Sequence, residues 1–257
     1  MDRLADIVSF IERDVRDGIV IEPAKRLQKL REGILDVVET YKPGTIVKAG
    51  LGRGELLLDI AGKSTAYIAV VEPSMALIHS FIDAHTDDPA LERIRFINGE
   101  FNALPVDYYS ADLLVCVDYL EFLESGRVLD EFRRILQFDG ILFLGGIVLE
   151  DEDIEGIYDD FMKAAFPLHN DYYLRDDLKT MLALKDFTFI KGSIERFGTD
   201  LAALAAYFAS TFGEPPNPPP ILEDRREDFT RLYGLDGTAI AEPYYISIFM
   251  REKPKTA

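Results

Sequence analysis

Short apolar runs recur along the chain and read as strands: Thr45-Ile46-Val47, Ala66-Tyr67-Ile68-Ala69-Val70-Val71, Ile94-Arg95-Phe96-Ile97, and Ala111-Asp112-Leu113-Leu114-Val115-Cys116-Val117. Stretches with helical spacing lie between and after them. One starts at Pro73-Ser74-Met75, with Ser74 near its first turn. Another covers Leu129 to Leu136, and Asp139-Gly140 is expected to end it before a fifth strand, Ile141-Leu142-Phe143-Leu144. A helix over 174–182 precedes two further strands, Phe187–Ile190 and Tyr244–Met250.

Two regions lie outside this series. Residues 1–43 give two amphipathic patterns, Leu4-Ile7-Val8-Ile11 with Val15, then Leu27-Leu30-Ile34-Val37-Val38, broken near Pro23. Between the last two strands, residues 199–242 hold an alanine-rich helix over 201–208. The run Pro215-Pro216-Asn217-Pro218-Pro219-Pro220 follows, a stiff, extended connector. This segment is read as a lid or a homodimer contact.

The first strand runs into Gly50-Leu51-Gly52-Arg53-Gly54, and the second closes on Glu72. Glycines at such a turn let the backbone bend sharply and bring bare N–H groups up to a ligand. A carboxylate at the tip of the neighbouring strand can accept both hydroxyls of a ribose. A nucleoside-containing cofactor is therefore expected. A dinucleotide fingerprint would place its third glycine where Glu55 stands, which argues against NAD and the dehydrogenase class.

The G-x-G-x-G form, with the ordered set of elements from about Gly44 to Met250, resembles the class I S-adenosylmethionine-dependent methyltransferases. The resemblance implies a doubly wound α/β fold: a mostly parallel seven-stranded sheet with an antiparallel last strand, N-terminal helices, and a helical insertion before that strand. It implies a helical cap over 1–43 and a methyltransferase-like domain over 44–257, with 199–242 as lid or insertion. The implied cofactor is S-adenosylmethionine, held by Gly50, Gly52, Gly54, Glu72, Glu100 and Phe101. Of these, Glu100 would receive the adenine amino group and Phe101 would pack on the ring. One departure stands out. Two positions before the first glycine, where the family carries an acid that helps hold the loop and the cofactor's amino group, this chain has Lys48. A like charge there makes a non-catalytic, nucleoside-binding or regulatory relative the alternative reading.

Charge narrows the substrate. Lys and Arg number 28 against 46 Asp and Glu in 257 residues, a formal charge of −18, so phosphate backbones are repelled and a small-molecule substrate is expected rather than nucleic acid. The basic cluster Lys25 to Arg31 is read as a solvated helix face, and Glu131 and Arg134 as holding a helix face. No apolar stretch reaches the ~20 residues of a membrane span, the start of the chain lacks the apolar core of a signal peptide, and the single cysteine, Cys116, excludes an internal disulfide. A cytoplasmic protein is expected. His79, His85 and His169 are scattered without metal-ligand spacing, so no metal site is expected.

Methyl transfer from a sulfonium needs positioning and exclusion of water more than a fixed catalytic triad. The catalytic residues are therefore left unassigned. By position near the fourth strand's end, Asp118, Glu121, His169, Tyr172 and Tyr173 are the candidate bases.

Overall fold

The computed structural model describes residues 3–17, 24–212 and 218–253. Pro23 and residues 215–217 of the proline run lie outside the described residues, as do the side chains of Leu4 and Val15. Two helices open the chain, α1 (Arg3–Asp17) and α2 (Ala24–Tyr41). The alternating series follows: β1 (Thr45–Ala49), α3 (Glu55–Lys63), β2 (Tyr67–Glu72), α4 (Met75–Ala84), β3 (Ile94–Asn98), β4 (Ala111–Val117), α5 (Ser125–Ile135) and β5 (Leu136–Ile147). It ends with α6 (Ile157–Ala165), α7 (Arg175–Ala183), β6 (Phe187–Asp200), α8 (Leu201–Phe212), α9 (Ile221–Asp224), α10 (Arg226–Tyr233) and β7 (Ala239–Arg251).

The strands form one seven-stranded sheet in the order β3-β2-β1-β4-β5-β7-β6, parallel except for β7, which runs antiparallel to both its neighbours. Such a sheet is covered on both faces, which is why its central strands read as unbroken apolar runs. One face packs on α2, α3 and α4 through Leu30, Ile34, Leu57, Ile60 and Phe81. The other packs on α5 and α7 through Val128, Phe132, Leu178 and Leu182. A third cluster, with Phe10 of α1, Phe161 of α6, Phe208 of α8 and Phe229 of α10, forms a helical cap. The strand order reverses between β1 and β4, and the crevice at their carboxyl ends is where open α/β sheets place ligands.

Ser74 caps α4, its hydroxyl accepting from the Leu77 N–H at 3.1 Å. Glu131 and Arg134 hold more than their own helix. Glu131 accepts the Leu104 N–H at 2.7 Å, and Arg134 donates to the Leu104 and Val106 carbonyls, so the pair fastens the loop after β3 to α5.

Three details depart from the sequence reading. The helix ends at Ile135, and Asp139-Gly140 lie inside β5, in a bulge over 137–140. There Asp139 takes a φ of +65°, and a Cβ on Gly140 would meet the Gln137 carbonyl at 2.8 Å. Arg251 holds the bulge by lying over the rings of Tyr109 and Phe138 at 4.6 and 4.5 Å. The last two strands are also far longer than their apolar cores. Beyond Ile147, the β6–β7 ribbon continues to the pair Asp200↔Ala239 and carries α8–α10 at its end. Finally, the cluster over 25–31 is not a uniformly solvated face. Arg26 is buried against Glu242, because it shares the inward stripe of Leu30 and Ile34.

Candidate active site

The glycine turn is built from the tips of β1 and β2. Gly50 donates its N–H to the Val71 carbonyl at 2.8 Å, and Glu72, with no exposed surface, accepts the Leu51 N–H at 2.8 Å and the Ser74 N–H at 2.9 Å. Glu72 thus ties the loop to the start of α4. Burial raises its pKa, against the lowering effect of those two N–H groups, Lys48 and the Tyr119 hydroxyl.

The three glycines have different reasons to be glycine. All have positive φ, at 83°, 55° and 82°. A Cβ on Gly50 would lie 2.1 Å from the Tyr119 ring, and one on Gly54 would lie 2.1 Å from the Phe81 ring, so both are required by packing. A Cβ on Gly52 would meet nothing within 4 Å. Gly52 is the loop position with open space in front of it, and it lines a cavity of about 230 Å³.

Lys48 lies on β1 beneath the loop and lines the same cavity, 5% exposed, its ammonium donating to the Gly50 carbonyl at 2.5 Å and the Leu51 carbonyl at 3.3 Å. Both backbone groups of Leu51 are therefore held, its N–H by Glu72 and its carbonyl by Lys48.

Two walls of different character enclose the cavity. The apolar wall comes from the helical cap: Phe10, Phe122, Met162, Phe166, Leu204 and Phe208. Its rings interlock, with Phe166 stacked on Phe208 at 4.0 Å and Phe122 edge-on to Phe166 at 5.7 Å. The polar wall carries Asp118 and Glu121 just beyond β4, with Glu242 and Arg26 deeper. Glu242 is satisfied by the Arg26 guanidinium, the Tyr158 hydroxyl and, at 3.2 Å, Thr199, while Arg26 also lies 4.7 Å over the Tyr244 ring. Burial and then the neighbouring Asp118 push the Glu121 carboxyl up to about 8, and burial raises that of Asp118 as well.

Four of the five candidate bases come together here: Asp118, Glu121, His169 and Tyr172 all line the cavity. His169 is oriented by Asp159. Its Nε2–H donates to Asp159 Oδ1 at 2.7 Å, and Asp159 also accepts the Tyr172 N–H and pairs with Lys163. Burial acts to raise the Asp159 pKa, but these hydrogen bonds hold it below the usual carboxylate range. Tyr173 instead shares a hydrogen bond with Ser125 at 2.7 Å and faces a separate, smaller cavity.

The residues expected on the nucleoside side lie outside this cavity. Phe101 is buried and packs edge-on to Tyr119 at 4.8 Å, but Glu100 is exposed at the end of β3, and neither lines the cavity. Tyr119 fills the space between Gly50 and Phe101, with its hydroxyl toward Glu72. Sequence reasoning missed Tyr119 because an aromatic after a strand reads as core. It missed Arg26 although its spacing of four from Leu30 was a usable signal, and nothing local marked Glu242 or Asp159 as partners.

These residues suit a sulfonium cofactor: Gly52 leaves open space beside the loop backbone, and the polar wall is rich in carboxylates. Among the described residues no group of three or more His, Cys, Asp or Glu could hold a metal ion, and no helix is long and apolar enough to cross a membrane.

Residues 47–144 match the family model described as a methyltransferase domain. No curated protein sequence matches the chain. Among solved structures, it is similar to a putative methyltransferase from Bacillus halodurans at 10% identity and a TM-score of 0.76, covering 88% of this chain and all of that one. It is similar to a putative sarcosine dimethylglycine methyltransferase from Galdieria sulphuraria at 12% identity and 0.65, covering 95% and 98%. A geranyl diphosphate methyltransferase in complex with S-adenosylmethionine gives 14% and 0.63, covering 86% and 84%. At these identities the likeness is one of fold. The family match covers β1 to β5, residues 47–144, as a methyltransferase domain, and the rest of the chain shares the fold of these structures.

Proposed function

We propose that this methyltransferase acts on a small molecule held in the cavity between the glycine loop and the helical cap. The observation that carries the reading is the shared lining: Gly52 and Lys48 of the cofactor side line the same cavity as Asp118, Glu121 and His169. A macromolecular acceptor would have to reach past α1 and α8, whose Phe10 and Phe208 form part of the wall. We read α8 as a lid for this reason, and the formal charge of −18 weighs against nucleic acid. The buried, solitary Cys116 suits a reducing, cytoplasmic setting.

When bound, S-adenosylmethionine supplies an electrophilic methyl group, which a nucleophile's lone pair takes as the carbon–sulfur pair returns to sulfur. The protein's share is to hold the loop through Glu72 and Lys48, to exclude water with the aromatic wall, and to take up the acceptor's proton. Gly52 and Glu72 would hold the cofactor. Asp118, Glu121 and the Asp159-oriented His169 are the groups placed to receive the proton.

The test is incubation with methyl-labelled S-adenosylmethionine and a cell extract separated by size. Label is expected in the small-molecule fraction, with S-adenosylhomocysteine formed in equal amount. Label confined to macromolecules, or no transfer, would overturn the reading.

A further inference from the structure

The second, smaller cavity, of about 30 Å³, lies on the face of the sheet covered by α5 and α7. Its room comes from a missing side chain. Leu144 and Gly146 of β5 pair with Ser247 and Tyr245 of β7, and directly paired residues point to one face, so a side chain at 146 would enter this space. A Cβ there would meet nothing within 4 Å. The two β7 partners bring polar groups to the same place. Ser247 has no exposed surface and Tyr245 is 3% exposed, and neither hydroxyl has a hydrogen-bond partner among the described residues. Buried hydroxyls left without partners cost free energy, and one water needs only about 10–15 Å³. The space is therefore polar and large enough for one or two waters. Among the described residues no group of three or more His, Cys, Asp or Glu offers a metal ion a place there.

Glu121 connects this space to the main cavity. With Ile147 and Tyr172 it lines both. Tyr173 and the half-exposed Asp171, which accepts the Tyr173 hydroxyl at 3.4 Å, also line the smaller one. We propose that the smaller cavity holds one or two ordered waters, anchored by the Ser247 and Tyr245 hydroxyls, that hydrate the Glu121 carboxyl from behind the main cavity. When a ligand takes the place of solvent in the main cavity, these waters stay at the carboxyl and support its ionised form, so that Glu121 is ready to take a proton. Ser247 and Tyr245 are thus positioning residues, acting through water on an acid of the main cavity. The role of Glu121 as proton acceptor rests on the proposed function above; the water site does not.

Two measurements on the full chain, without cofactor or acceptor, test the proposal separately from the labelling experiment. Crystals of the wild type should show ordered water within hydrogen-bond distance of Ser247 Oγ and of the Glu121 carboxyl. Gly146→Ala, whose methyl group takes up part of the space, should show at least one water fewer. In solution, the infrared band of the protonated Glu121 carboxyl, identified as the one missing from Glu121→Gln, is titrated in the wild type, Gly146→Ala and Ser247→Ala. Burial and Asp118 already push this carboxyl up to about 8. Its midpoint should rise further in both variants, by at least about half a pH unit, because the ionised form loses hydration. The charged and titratable groups that line the two cavities with it are Asp118 and Cys116 at the end of β4, Lys48, Arg53, Glu55 and Tyr119 about the glycine turn, Arg26 on α2, Glu242 and Tyr245 on β7, and His169, Asp171, Tyr172 and Tyr173 before α7. Neither variant alters any of them. Wild-type crystals without ordered water at the Ser247 hydroxyl, or an unchanged midpoint in Ser247→Ala, would overturn the proposal. A rise confined to Gly146→Ala would be desolvation by the added methyl group alone and would overturn it as well. If Gly146→Ala does not fold, the wild-type crystals and Ser247→Ala decide. Shifted midpoints alongside a failed labelling experiment would remove the methyltransferase reading and leave the water site standing.

Discussion

The Lys48 ammonium lies 2.5 Å from the Gly50 carbonyl oxygen, under the turn that the methyltransferase family usually supports with an acid. The substitution inverts the means of support. An acid would accept loop N–H groups, whereas here the lysine donates to loop carbonyls and the N–H of Leu51 is left to Glu72. The ammonium is buried, so two consequences follow from one residue. Lys48→Met should lower stability by about 1–3 kcal/mol, because two carbonyls lose a charged donor. It should also tighten S-adenosylhomocysteine relative to its desamino analogue, by up to roughly tenfold, because a like charge near the ligand's amino group is removed. Denaturant melts and paired calorimetric titrations check the two effects; weaker binding of S-adenosylhomocysteine by the variant would mean that Lys48 attracts the ligand's carboxylate instead.

Gly50→Ala and Gly54→Ala should each destabilise the fold by several kcal/mol, since their Cβ atoms would enter the Tyr119 and Phe81 rings at 2.1 Å and positive φ adds strain. Gly52→Ala meets open space and should cost only the ~1 kcal/mol of its φ. Thermal melts of the three variants, side by side, separate loop glycines needed for packing from the one with open space in front of it.

Glu72 holds two backbone N–H groups in a fully buried position, so Glu72→Ala should cost about 2–4 kcal/mol and confound a binding test. Glu72→Gln keeps the shape and one acceptor oxygen. It should leave most of the stability and weaken S-adenosylhomocysteine about tenfold, if the carboxylate also accepts the ribose hydroxyls. Unchanged affinity in a folded Glu72→Gln variant would reduce Glu72 to a purely structural residue.

Glu121 sets a pH dependence. Its folded pKa of about 8 lies above its ordinary 4.5, through burial first and Asp118 second. The unfolded chain therefore holds fewer protons than the folded one between those values. Stability from this group is full below about 4.5 and is lost as pH rises to about 8. Asp118, whose carboxyl burial also raises, shares in the profile, and Glu242, Arg26, His169 and Tyr172 line the same cavity. Glu121→Gln should flatten the decline and be the more stable form at pH 8–9, by up to ~2–4 kcal/mol. Parallel melts from pH 5 to 9 read this directly, and identical slopes for the two proteins would contradict it.

The fold was legible because its determinants are local. Unbroken apolar runs bounded by Gly-rich turns mark strands buried on both faces, and Ser74 and the glycine loop sit where strand meets helix. The site was legible only in part. Gly52 and Glu72 lie within single motifs, but Glu242 reaches Arg26 across 216 positions and His169 reaches Asp159 across a helix and a turn. Such pairs are created by packing and leave no spacing to read. Asp139-Gly140 shows the converse: a strong turn signal was present, and long-range pairing of β4 with β5 used it as a bulge rather than a terminus.

We place an adenosyl cofactor on the open side of Gly52. Calorimetric titration of S-adenosylhomocysteine into the wild type and Gly52→Val tests it most directly. One site per chain is predicted for the wild type and none for a variant whose melt remains cooperative, since valine would fill ligand space rather than core. Equal affinity in both proteins, or no binding to the wild type at millimolar ligand, would contradict it.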